Sequence, residues 1–164
     1  METRTLSQEP AVNVGMLIRR SPHAVFEAMA DPAITTRFWY TKSSGRMIEG
    51  AKLLWEWEMY GVSGHVWVLE VEPDRRIRFN SETDDPEHPT TVEFRFTPYQ
   101  EDKTYVRITE AGFTGDADTK VARALDSTAG YSFLLSSLKA TLEYDIALGL
   151  TGDAHPPDLQ SGAD

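Results

Sequence analysis

The residues best suited to chemistry lie in LLWEWEMYGVSGHVWVLEVEP, positions 53–73. Here His65 stands among Trp55, Trp57 and Trp67, three of the chain's four tryptophans. Imidazole is the side chain that changes charge near neutral pH, so His65 could serve as a general base or as a hydrogen-bonding anchor for a hydroxyl or carbonyl. Its place at a strand start, beside a turn, fits a partly solvated histidine with no such role somewhat better. The indoles bury about 150–250 Å² each whether or not a ligand is present. Alone they fit a solid core a little better than a cavity wall, and in either case each buried N–H needs an acceptor. Other chemistries have less support. His23, His65, His88 and His155 are far apart and no HExxH pattern occurs, so neither a metal nor a cofactor is expected. GVSGH at 61–65 is superficially like a GxSxG nucleophile elbow, but its fifth residue is histidine and it joins two strands, whereas the elbow needs a strand-to-helix turn. No glycine-rich phosphate loop is present, and no catalytic residue is assigned.

The elements that must position these residues are legible from periodicity. AVNVGMLIRR alternates and predicts a first strand with Val12, Val14, Met16 and Ile18 on one face. SPHAVFEAMAD has a helix start at Ser21–Pro22, and DPAITTRFW repeats it at Asp31–Pro32, predicting two short helices. A meander of antiparallel strands follows. KLLWEWEMY sets Leu53, Trp55, Trp57 and Met59 on one face, and GVSG turns the chain. HVWVLEVE sets His65, Trp67, Leu69 and Val71 together, and these are expected to point inward. Phe79, Phe94, Phe96, Val106 and Ile108 join them from RIRFN, TVEFRF and TYVRITEAGF. Glu56, Glu58, Glu70, Glu72, Arg76, Arg78 and Arg95 fall on the opposite, solvated face. From about Asp118 to Leu148 the period changes to three and four. Tyr131, Leu134, Leu135, Leu138, Leu142 and Ile146 form one stripe, Gly130 marks a kink or break, and Gly149 a C-cap.

The totals bound the function. A chain of 164 residues suits one domain with a sizeable core. Its formal net charge of −10 repels phosphate backbones, so nucleic acid is not an expected partner. No apolar run is long enough to span a membrane, METRTLSQEP has no secretory apolar segment, and there are no cysteines. A cytoplasmic location is expected. The domain is expected to run from 10 to 149, after a short N-terminal extension (1–9) and before a polar, Pro- and Gly-rich tail (150–164) expected to be disordered.

The order of strand, two short helices, antiparallel strands and one long C-terminal helix is that of an α+β helix-grip fold, since only the last helix can cover the sheet's apolar face. The chain resembles the activator of heat-shock-protein-90 ATPase homologue-like family of the START/SRPBCC superfamily. The resemblance rests on SPHAVFEAMADP at 21–32, FW at 38–39, GHVWVLEVEPDRRIRF at 64–79 and GYSFLLSSLKATLEYD at 130–145, and it covers roughly residues 10–149. The chain departs from the family at Tyr131, where tryptophan often stands, and at Phe38–Trp39, commonly two tryptophans. The resemblance implies a cavity between sheet and helix. Relatives bind lipids, sterols, polyketides or flavonoids, some cyclise polyketides, and the eukaryotic namesake stimulates a chaperone ATPase. The expectation is therefore a small hydrophobic or amphipathic ligand held by Trp55, Trp57, His65, Trp67, Phe79, Phe94, Phe96, Tyr131, Leu134 and Leu138. The alternatives are a chaperone-interacting module that uses the outer sheet face, and a cyclase- or hydrolase-type enzyme that uses His65 with a carboxylate. Monomer and homodimer both fit the layout.

Overall fold

Alternation of apolar and charged residues builds a seven-stranded antiparallel sheet, and the amphipathic C-terminal segment lies across its apolar face. The structure, a computed structural model, describes residues 5–159. Residues 1–4 of the N-terminal extension and 160–164 of the tail lie outside the described residues. The strands are β1 (Val12–Ile18), β2 (Lys42–Ser43), β3 (Lys52–Trp57), β4 (Val62–Glu72), β5 (Arg76–Ser81), β6 (Thr90–Pro98) and β7 (Thr104–Ala111). They run in the order β1-β7-β6-β5-β4-β3-β2, so the meander closes by bringing the first strand beside the last. The two short helices are α1 (Pro22–Ala30) and α2 (Pro32–Thr35). Each starts with proline and has a side-chain cap: Ser21 Oγ accepts from the Ala24 N–H, and Asp31 Oδ1 accepts from the Ala33 N–H. Gly15 makes room for a neighbour: a Cβ there would come within 2.2 Å of the Tyr105 hydroxyl on the neighbouring strand, so any larger residue would have to displace that ring.

The long helix, α3 (Ala117–Tyr144), is capped by Asp116, whose carboxylate accepts from the Thr119 N–H at 2.8 Å. It runs unbroken through Gly130, where a kink or break was expected. It also ends about four residues early, because Asp145 takes a left-handed conformation (φ 53°). Ile146 therefore leaves the helical stripe and is exposed. Gly149 precedes a further short helix, α4 (Leu150–Ala154), rather than capping α3. The segment expected to be disordered from 150 thus carries structure as far as 159, and the Tyr60 hydroxyl donates to its Thr151 carbonyl at 2.7 Å. After Trp57 the chain forms a 3₁₀ turn at Glu58–Tyr60 where continued strand was expected, leaving Met59 exposed.

One local feature reverses part of the expected facing. Between Val68 and Glu70 the pairing of β4 with β5 slips by one residue, a β-bulge. Val71 faces inward opposite Ile77, but beyond the bulge Val66 and Val68 do, each 2% exposed. Unbroken alternation from Val71 would instead send Leu69, Trp67 and His65 inward. His65 and Trp67 do share a face, with ring centroids 6.3 Å apart, but it is the outer one. There Lys52 lies over the Trp67 ring. The same outer face carries the expected charge ladder, including Arg76 with Glu70 and Arg95 with Glu93, each such pair contributing little.

The interior is packed by Phe79, Phe94 and Phe96 from the sheet against Leu134, Leu135 and Leu138 of α3, all fully buried. A polar latch holds the helix at its C-terminal end. Lys139 Nζ donates to the Leu17 carbonyl at 2.8 Å and to Glu143 at 2.6 Å, and Glu143 also accepts from the Arg19 N–H. Burial pushes the Glu143 carboxyl up, but the bonds from Lys139 and Arg19 outweigh it and hold the carboxyl below its ordinary range. The Arg46 guanidinium likewise lowers Glu27.

Leu138→Ala is expected to cost about 2–5 kcal/mol in urea unfolding, whereas Leu125→Ala, 65% exposed on the same helix, should cost under about 0.5 kcal/mol. Carboxylates with lowered values add stability above their unfolded values, and this is lost as pH falls through the folded ones. The melting temperature should therefore stay level from neutral pH to about 5 and fall steeply below about 4. Lys139→Met should reduce stability at neutral pH by about 1–3 kcal/mol and flatten that acid limb.

Candidate functional site

The leucine stripe of α3 seals only part of the sheet. Toward the helix start a cleft of about 730 Å³ opens between the two. Its sheet side comes from one end of five consecutive strands: Trp57 closes β3, Val62 opens β4, Ser81 closes β5, Thr90 opens β6, and Glu110 lies near the end of β7. The helix side is Arg123, Asp126, Ser127, Gly130 and Tyr131. Gly130 presents no side chain, and a Cβ there would meet nothing within 4 Å, so the helix stays slim where the cleft runs. The β5–β6 loop, with Glu82 and Asp84, together with Thr151 of α4 and His155 just after it, forms the rim.

One wall is aromatic. Trp39, delivered by the turn after α2, is the hub: its ring lies 4.8 Å from Trp55, 6.3 Å from Trp57, 6.1 Å from Phe94 and 6.2 Å from Tyr131. Such edge-to-face contacts add to the area buried. Trp55 sits deeper, stacked on Tyr40 at 4.8 Å, and its indole N–H is buried without a hydrogen-bond partner among the described residues. A smaller cavity of about 230 Å³ runs beside Trp55, Trp57, His65 and Glu82.

The polar centre of the cleft is Glu110. The alternation of β7 turns Thr104, Val106, Ile108 and Glu110 inward, so this carboxylate stands among cross-strand Val12 and Val92, 5% exposed. The Thr90 hydroxyl donates to Glu110 Oε2 at 2.6 Å, while Oε1 is buried with no partner among the described residues. A carboxylate only accepts, so the unmet oxygen calls for a donor. Burial first, and the negative charge of Glu110 second, push the Tyr131 phenol well above its ordinary value, so it stays a proton donor at neutral pH. Arg123 donates to Asp84 at 2.7 Å and to the Thr114 carbonyl at 3.2 Å.

Residues 19–143 match the family model described as activator of Hsp90 ATPase homolog 1-like protein. The chain belongs to that family. The matched span includes Trp39, Trp57, Glu110 and Tyr131, but not α4 or His155 at the rim. Solved structures agree on the helix-grip fold. A Staphylococcus saprophyticus protein is 28% identical with a TM-score of 0.71 over 84% of this chain and 95% of its own. The Aha1 dimer from Colwellia psychrerythraea is 20% identical with a TM-score of 0.70 over 82% of this chain and 96% of its own. CalU16 from Micromonospora echinospora is 17% identical with a TM-score of 0.67 over 86% and 79%. No curated protein matches. No helix among the described residues is long and apolar enough to cross a membrane.

In this family member the ten expected site residues separate. Trp57 and Tyr131 line the cleft. Trp55 borders only the smaller cavity. Phe79, Phe94, Phe96, Leu134 and Leu138 are solid core and line neither space. Trp67 lies on the outer face, moved there by the β4 bulge. His65 reaches only the edge of the smaller cavity. Its Nδ1 lies 3.0 Å from Glu82 Oε2, which also accepts from the His65 backbone N–H, and its side chain is 40% exposed. These bonds hold Glu82 below its ordinary value. Glu110 and Trp39 were missed. Continuing the inward alternation of Val106 and Ile108 by two residues reaches Glu110, so its facing was available. Trp39 carries no such signal, because it lies between elements.

Thr90→Val alone should destabilise the fold by about 1–3 kcal/mol in chemical denaturation, since it leaves the buried carboxylate with no partner. Thr90→Val with Glu110→Met should match or exceed the parent's stability, because it removes the buried polar pair outright.

Proposed function

We propose that the protein binds a small amphipathic molecule in the cleft between sheet and helix. One observation carries the reading: a space of about 730 Å³ with an aromatic wall of Trp39, Trp57 and Tyr131 and one buried, half-satisfied carboxylate. Ligand pockets have this size and pair aromatic surface with placed polar groups, and this cleft does so with a more polar rim. The family's description as an activator of Hsp90 ATPase points to chaperones, which would call for a recognition surface outside the cleft. The outer sheet face is taken up by its own ion pairs, and nothing about it singles out a partner. Enzymatic use of His65 would call for a sequestered histidine–carboxylate pair, whereas the His65–Glu82 pair is largely solvated.

Titration with hydrophobic aromatic and lipid probes, followed by tryptophan fluorescence, tests the reading. Saturable quenching at one site per chain is expected. Trp57→Ala should weaken it about tenfold or more, the range for burying one large ring, and Trp67→Ala should leave it nearly unchanged. Equal effects of the two substitutions, or no saturable binding, would count against the cleft.

A further inference from the structure

We propose that the cleft selects an amphipathic amine, whose ammonium donates to Glu110 Oε1 while its apolar body lies against Trp57 and Tyr131. The inference rests on the reading of the cleft as a ligand site and adds the chemical class of its occupant. The first support is the acceptor itself. Glu110 is 5% exposed, Thr90 fills Oε2, and Oε1 has no partner among the described residues. Only a donor satisfies it, which rules out ligands whose polar end is a ketone, ether or ester. The second support is the sign of the surroundings. Glu82, Asp84 and Asp126 share the lining with Glu110, and Arg123, the one lysine or arginine among the described lining residues, already donates to Asp84 and Thr114. A carboxylate or phosphate ligand would meet like charge with no guanidinium to spare. The third is the wall. Tryptophan and tyrosine faces carry negative quadrupole density and attract cations, most strongly where water is excluded. A neutral hydroxyl could also donate to Oε1, but a bond between two ionised groups is shorter and stronger, so the amine is preferred.

Isothermal titration calorimetry at neutral pH with three probes of one skeleton, naphthylethylamine, naphthylethanol and naphthylacetic acid, tests this. The parent should bind the amine about tenfold more tightly than the alcohol and the acid most weakly. Glu110→Gln, with its fold checked by circular dichroism, should bring the amine down to the alcohol's affinity and leave the alcohol within about threefold of the parent. If that variant does not fold, the ranking of the three probes on the parent decides. If amine and alcohol bind alike, or the acid binds best, and Trp57→Ala weakens all of them, the cleft is a ligand site but the amine assignment is overturned. If no probe binds the parent, or Trp57→Ala leaves the affinity of all three unchanged, the ligand-site reading falls and the amine assignment with it.

Discussion

Everything in this molecule follows from how far α3 covers the sheet. Leu134, Leu135 and Leu138 reach the apolar face of β5–β7 and are sealed against it, while Lys139 and Glu143 bind that end of the helix to the end of β1. The other half packs Ala124 with Val12 and Phe113, and the rest of that end of the sheet is left uncovered unless large side chains fill the gap. At Ser127 and Gly130 they do not, and the uncovered end becomes the cleft.

The cleft is costly to maintain. Among the described residues, Glu110 is taken out of water with one carboxylate oxygen unmet, and Trp55 buries an indole N–H without a partner. Unsatisfied buried polar groups are uncommon in folded proteins and each costs stability. A leucine at position 110 would continue the inward alternation of Val106 and Ile108 at lower cost. A carboxylate on that face makes sense as a binding group that the fold tolerates, with Thr90 orienting one oxygen and leaving the other for a ligand. Tyr131, kept protonated by burial and by Glu110, adds a donor beside this acceptor. The floor of the cleft therefore offers both polarities within an aromatic frame.

Family membership narrows the architecture more than the activity. The family model and the solved relatives share the sheet and long helix, and this chain spans nearly the full length of the Staphylococcus and Colwellia proteins. Here the lining combines one buried acid with an acidic rim. Folds of this kind host several functions, so the argument for any one of them must come from the site.

The sequence by itself determined the element order, the caps at Ser21 and Asp31, and the leucine stripe of α3, because these depend on local periodicity and on hydrogen bonds spanning a few residues. It also held the inward facing of Glu110, readable from the two-residue period of β7. Tertiary structure alone decided the rest. The β4 bulge depends on matching β5, so the outward turn of His65 and Trp67 could not be read from β4 by itself. The end of α3 is set where Asp145 turns left-handed and its N–H donates to the Ala140 and Thr141 carbonyls, a stop that helical periodicity does not reveal. The hub position of Trp39 depends on four rings from three other segments, β3, β6 and α3, converging on it. Whether a large apolar residue fills the core or walls a cavity is set by the distance between helix and sheet at that point, and no single segment contains that distance.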